Sequence, residues 1–131
     1  MLDLNSIEKA YERVSDVVHR TPFAYAPILS EISGYEVYLK KENLQRTGAF
    51  KLRGAFNKIA SLIENEQKGG VVAASAGNHA QGVAFSAKHF GIDATIIMPE
   101  STPLTKVQGV KELGAKVILH GANYDEAYAY A

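Results

Sequence analysis

The sequence predicts an α/β fold, a parallel sheet with flanking helices. Three observations carry this. From Val71 onward the segments run strand, helix, strand, helix, strand, the order of successive βαβ units with right-handed crossovers. The strand segments "VVAAS", "DATIIMP" and "AKVILHG" read as near-continuous apolar runs, which marks a sheet covered on both faces. Glycines punctuate the boundaries: Gly69-Gly70 before the first of these strands, Gly91 and Gly114 where two helices stop.

Taken in order, "NSIEKAYERVSDVVHR" is an amphipathic helix, with Ile7, Ala10, Tyr11, Val14, Val17 and Val18 at helical spacing. Asn5 or Ser6 is its expected cap, and Thr21-Pro22 its stop. A short strand "FAYA", a helical turn around "ILSEIS" and a strand "EVYLK" follow. From Lys51 the period changes: Leu52, Ala55, Phe56, Ile59, Ala60 and Ile63 form a helical stripe. "NHAQGVAFSAKHFG" is a helix ending at Gly91. Thr102 is expected to cap a helix with Pro103 at its first position, and Leu104, Val107, Val110 and Leu113 form its apolar face. In "NYDEAYAYA", Asn123 and Glu126 stand in capping-box register. That last helix spans only about two turns, marginal unless packed, so the sequence reads as cut in mid-architecture from something longer.

A chain of 131 residues is one domain's worth, and 47% apolar content places it among globular proteins rather than disordered ones. Lys and Arg number 14 and Asp and Glu 14, a balance that argues against a non-specific nucleic-acid binder. The absence of cysteine excludes disulfides, zinc–thiolate sites and thiol nucleophiles, and His89 and His120 have no partner at metal-ligand spacing. No metal site is expected. The mixed, acidic N-terminus is not a targeting peptide, and the longest apolar run, "ATIIM", is far too short to span a membrane. A cytoplasmic location is the expectation.

Two stretches can carry chemistry. In "TGAFKLRGAF", Lys51 lies in the first turn of a helix among small and aromatic residues. The positive end of the helix macrodipole disfavours a cation there, and Ala49, Phe50 and Leu52 are expected to add desolvation. Both effects favour the neutral amine, a nucleophile toward carbonyls. An ordinary exposed lysine at a helix start is the competing reading. The second stretch, "SAGNHAQG" (Ser75 to Gly82), lies between a strand and a helix, where parallel sheets bind ligands beyond their strand ends. A Gly77 turn with free N–H groups and a helix N-terminus suit a carboxylate or phosphate. Against this, Asn78 and Gln81 fit a capping box, which would make Asn78 a structural cap, and a first-turn His79 is commonly structural. Tyr124, Tyr128 and Tyr130 read as a packing face, and Glu42 as an exposed or salt-bridged group rather than a catalytic base.

Taken together, these stretches resemble a known family. "ENLQRTGAFKLRGA" (Glu42 to Ala55) is similar to the pyridoxal-phosphate attachment motif of the serine/threonine dehydratases, and "SAGNHAQG" to their substrate-binding asparagine loop. "RTPF" (Arg20 to Phe23) and "MPESTPLTKV" (Met98 to Val107) also fit. The resemblance covers nearly the whole chain and is strongest to short, catabolic-type threonine dehydratases among the fold-type-II pyridoxal enzymes. It implies Lys51 as the Schiff-base lysine that also moves the substrate α-proton. Phe50 would pack on the cofactor ring and Asn78 would bond its phenolic oxygen. Ser75, the backbone of Ala76 and Gly77, and His79 would hold the substrate carboxylate. The implied reaction is β-elimination of L-threonine, and of L-serine, to 2-oxobutanoate or pyruvate and ammonia, as in threonine catabolism and isoleucine biosynthesis.

Two positions depart from relatives: Ala49 replaces a frequent Ser, and Ala76 stands where serine racemases carry a Ser, which weakens a racemase reading. The family's Gly-rich phosphate loop and the residue facing the pyridine nitrogen lie beyond Ala131. Residues 1–44 would then belong to the larger cofactor domain and 45–131 to most of the small domain. The resemblance also implies a homo-oligomer, dimer or tetramer, and a nucleotide effector near Arg46, Thr47 and Gln81. The rival readings are a serine racemase, a serine dehydratase, a β-replacing synthase, or a catalytically silent truncated domain that associates through exposed core.

Overall fold

The computed structural model describes residues 2–64 and 69–131. Its elements are α1 (Leu4–Val14), β1 (Phe23–Tyr25), α2 (Pro27–Ser33), β2 (Tyr38–Lys40) and a 3-10 turn (Glu42–Leu44). There follow α3 (Lys51–Glu64), β3 (Val71–Ala74), α4 (Asn78–Phe90), β4 (Ala94–Met98), α5 (Leu104–Glu112), β5 (Lys116–Leu119) and α6 (Tyr124–Tyr130). The expected parallel sheet is present, in the order β3-β4-β5, with Ala73 opposite Ile96 and Ile96 opposite Val117. β1 and β2 form a separate antiparallel pair.

The period-2 alternation of the central strand divides the core. Ala94, Ile96 and Met98 face α3, α4 and α5, packing with Ile59, Ala80, Val83, Ala84 and Val110. Ile97 points to the opposite face, toward α6, whose Ala127 is fully buried. The apolar run in β4 is therefore explained by cover on both faces. Each large side chain buried there stabilises the fold by roughly 1.5–3 kcal/mol. A second cluster joins α1 to α3 through Val14, Val18, Leu52, Phe56 and Ala60.

Several local expectations are corrected. α1 is capped by Asp3, whose extended backbone lets its carboxylate accept from Ser6 N at 2.8 Å; neither Asn5 nor Ser6 is the cap. The helix ends at Val14 rather than reaching Thr21. Ser15 turns its hydroxyl back onto Glu12 O, and Val17 and Val18 both bond Val14 O in a terminal turn. Thr102 does not cap α5. Pro103 has ψ 136°, an extended value, so it becomes the cap position itself and the helix starts at Leu104. Thr102 Oγ1 is buried without a partner.

Other expectations hold. Gly91 ends α4 in the left-handed region at φ 66°. Asn123 Oδ1 accepts from Glu126 N at 3.1 Å, and the Glu126 carboxylate reaches back to Ala122 N. The three tyrosines of α6, expected to form a packing face, are instead exposed, with Tyr124 and Tyr128 stacked on each other and Tyr130 on His120. Around β1, α2 and β2 the apolar side chains of Phe23, Ile28, Ile32 and Tyr38 are exposed.

Candidate functional site

The site forms where α3 crosses α4. Gly82, in the second turn of α4, lies against the start of α3: a Cβ there would sit 3.3 Å from Leu52 Cα and 3.3 Å from Ala55 Cβ. A Cβ there is a tight fit that the neighbours must yield to by a few tenths of an ångström, and a larger side chain would press the helices apart, so the glycine permits their close approach. Lys51, the first residue of α3, is thereby brought beside the first turn of α4. Its charge reaches His79, whose pKa is lowered first by burial and then by Lys51. The two motifs, separated in sequence, thus meet in space. The sequence reading gave Gly82 no role; a glycine inside a strong helical stripe, four residues after Asn78, is the signal that marked it.

Lys51 is exposed. The expected desolvation is not met, because Ala49 and Leu52 turn into the core while Phe50, at 63% exposure, turns into solvent. The amine is therefore accessible, with a bare aromatic ring as its sequence neighbour.

The turn Ser75–Gly77 follows β3. Ser75 N donates to Ile97 O at 3.0 Å, which ties the end of β3 to β4. Ser75 Oγ accepts from Ala80 N at 3.2 Å and from Gly77 N at 3.4 Å. Ser75 therefore serves the Ala80 amide from outside the helix, while the Gln81 N–H, which a capping Asn78 would serve, bonds Gly77 O at 3.3 Å: Gly77 is the cap position with no side-chain bond, and Asn78 is the first helical residue, exposed. The Asn78 side chain, not engaged as a cap, is open to a ligand. The Ser75 hydroxyl proton is also available, since its oxygen is used as an acceptor. The first-turn N–H groups of Asn78 and His79 have no intrahelical partner. A Cβ at Gly77 would meet nothing within 4 Å, so the turn is open on that side. Beside it a cleft of about 570 Å³ runs between His79, β3 and the Tyr124 and Tyr128 rings of α6. Lys51, Phe50 and Asn78 do not line that cleft.

Arg46, Thr47 and Gln81 are not drawn into one cluster by the contacts of the described residues. Arg46 Nε donates to Val17 O, Thr47 Oγ1 is buried without a partner, and Gln81 faces Gly109 on α5. Glu42 is salt-bridged as expected, to Arg53 at 2.8 Å. Among the described residues no group of three or more His, Asp or Glu is placed to hold a metal ion, and no helix is long and apolar enough to cross a membrane.

An α/β domain thus carries an accessible lysine at one helix start and an open turn at the start of another, where α3 meets α4 at the rim of a parallel sheet. The chain belongs to the pyridoxal-phosphate dependent enzyme family, which it matches over residues 14–131. It is 59% identical over 131 residues to the L-threonine ammonia-lyase of Thermotoga maritima, covering all of this chain and 33% of that protein. Among solved structures it is similar to the processed form of threonine deaminase isoform 2 from Solanum lycopersicum. That likeness has a TM-score of 0.84 and 39% identity, and covers 99% of this chain and 37% of the other. Maize serine racemase matches with a TM-score of 0.87 and 39% identity, over 95% and 38%. The chain therefore spans about a third of the length of the curated relative it matches.

Proposed function

We propose that the protein built on this chain is a pyridoxal-phosphate-dependent threonine dehydratase. It would convert L-threonine, and L-serine, to 2-oxobutanoate or pyruvate and ammonia by β-elimination. The observation that carries this reading is the convergence of Lys51 with the Ser75–His79 turn across the Gly82 contact. The residues fit the cofactor: an accessible amine for its aldehyde, an exposed Phe50 face for a flat ring, and a free Asn78 amide for a ring oxygen. When bound, the cofactor supplies the electron sink that stabilises negative charge at Cα. Lys51 is the attachment residue and moves the α-proton. The substrate carboxylate is held by the Ser75 hydroxyl, the backbone of Ala76 and Gly77, and His79, which burial and the Lys51 charge bias toward its neutral form.

The test is product analysis of the full-length protein with L-threonine, L-serine and D-serine. The expected result is a 2-oxo acid and ammonia, lost in Lys51→Ala. Net racemisation as the main flux would transfer the reading to a serine racemase, which Ala76 disfavours by lacking the hydroxyl a second proton carrier needs. Residues 1–44 are assigned to a larger cofactor domain and 45–131 to the small domain, although α1 packs directly on α3. The 131 residues by themselves are expected to be inactive, and an absent visible absorbance band on adding the cofactor checks this.

The finer parts of the proposal are a homo-oligomer, a cytoplasmic location, consistent with the cysteine-free sequence, and a nucleotide effector near Arg46, Thr47 and Gln81. The orphaned Thr47 hydroxyl supports the effector by offering an unfilled hydrogen bond. If AMP changes neither activity nor melting temperature of the full-length protein, the effector reading fails.

A further inference from the structure

The loop ahead of Lys51 is locked at its base by a set of polar contacts that the proposed chemistry does not use. Both oxygens of Glu42 are engaged by Arg53, from Nε at 2.9 Å and from Nη2 at 2.8 Å, a forked pair. Thr21 Oγ1 also donates to Glu42, and Arg53 Nη2 reaches on to His19 O at 3.2 Å. Gln45, buried, accepts from His19 N at 2.8 Å and donates to His19 O at 3.0 Å. Lys40 Nζ donates to Thr21 O at 2.7 Å. The segment His19–Thr21 is thus a hub gripped from the 3-10 turn, from β2 and from α3.

Arg53 follows Lys51 by two residues, so on a helix the two side chains point about 200° apart. Arg53 therefore grips the first turn of α3 from the side away from Lys51 and leaves the amine free. Arg53 N also donates to Phe50 O at 3.0 Å, so the same residue ties the start of α3 to the loop before it. Between the two locks the chain turns through Gly48, at φ 68°, and carries the exposed Phe50.

We propose that Glu42 is a positioning residue for Lys51: through Arg53 it fixes the first turn of α3 on the His19–Thr21 hub and so aims the amine at the His79 turn. This rests on the reading of Lys51 as the cofactor-attachment lysine. A salt bridge that only stabilised the fold would act on the whole domain; this one acts on residues 46–53.

The experiment uses the full-length protein without cofactor, as wild type, Glu42→Gln and Arg53→Lys. Amide hydrogen exchange is followed over residues 46–53 and, as a control, over β4. In parallel, the rate at which pyridoxal phosphate with cyanoborohydride labels Lys51 is measured relative to the exposed Lys111. Glu42→Gln is expected to speed exchange over residues 46–53 about tenfold, with β4 unchanged, and to slow relative labelling of Lys51 about tenfold. Arg53→Lys keeps the charge but loses the fork, and is expected to fall between. It carries the test if Glu42→Gln does not fold.

Equal rises in exchange over residues 46–53 and β4 would make the pair a general stabiliser and overturn the proposal. So would an unchanged relative labelling rate of Lys51. If wild-type Lys51 is labelled no faster than Lys111, the cofactor reading fails instead. The exchange contrast between residues 46–53 and β4 then still decides whether Glu42 holds the turn.

Discussion

The Gly82 contact makes a quantitative claim about how the site is assembled. In Gly82→Val, the new Cβ would stand 3.3 Å from Leu52 Cα and from Ala55 Cβ, before the two methyl groups are counted. Leu52 and Ala55 are buried, so neither can swing away. Overpacking of this kind costs about 1–3 kcal/mol. Helix propensity returns only about 0.4 kcal/mol on replacing glycine by valine. The net loss is about 0.6–2.6 kcal/mol, a fall of roughly 2–9 °C in melting temperature for a chain of this length. Gly82→Ala is the internal control: its propensity gain of about 1 kcal/mol offsets a milder clash, and its melting temperature is expected to stay near wild type. Thermal unfolding followed by far-ultraviolet circular dichroism reads the stabilities. Because the valine wedges α3 from α4, the influence of Lys51 on His79 should also weaken and the His79 pKa should rise, as an NMR titration would show. A valine variant as stable as the alanine variant, with His79 titrating as in wild type, would refute the idea that this contact sets the geometry.

Three further outcomes are expected. The Glu42 carboxyl is held at about 2 against an ordinary 4.5, chiefly by the Arg53 hydrogen bonds. A depressed folded-state pKa means its stabilisation is complete above pH 4.5 and is lost as pH falls toward 2, by at most roughly 3 kcal/mol. Screening of a partly exposed pair reduces this to about 1–2 kcal/mol, and urea unfolding between about pH 5 and 2, the span of that loss, should lose this acid sensitivity in part in Glu42→Gln. Lys51→Met should raise the His79 pKa part of the way to its ordinary 6.5 and no further, because burial, the larger cause, remains; NMR detects the shift. Asn123→Ala removes the side-chain bond to Glu126 N and should cost α6 about 1 kcal/mol, seen as faster amide exchange in residues 126–130 with β4 unaffected.

Most of the architecture was legible in order along the chain. Period-2 and period-3.6 apolar spacing, and glycines at helix ends, report local backbone preference and burial, and these are properties of neighbouring residues. Thus β3, α4, β4 and β5, and the start of α3 at Lys51, stand where the pattern puts them. The caps failed where two local candidates competed. Asp3 lies one turn outside the apolar stripe of α1, and Pro103 took the cap position because its own ψ is extended.

What only the tertiary structure decided is the site. Ser75, from outside the helix, serves the Ala80 amide of α4, because the strand end is pinned to Ile97 and turns the hydroxyl inward. Lys51 comes within electrostatic reach of His79 because Gly82 lets two helices approach, and Glu42, eleven residues before Arg53, is bonded to it at the start of the same helix. The sequence by itself determined the secondary elements and which residue types stand at the two motifs. Their approach and orientation come from packing between segments distant along the chain, and one-dimensional spacing carries no record of that.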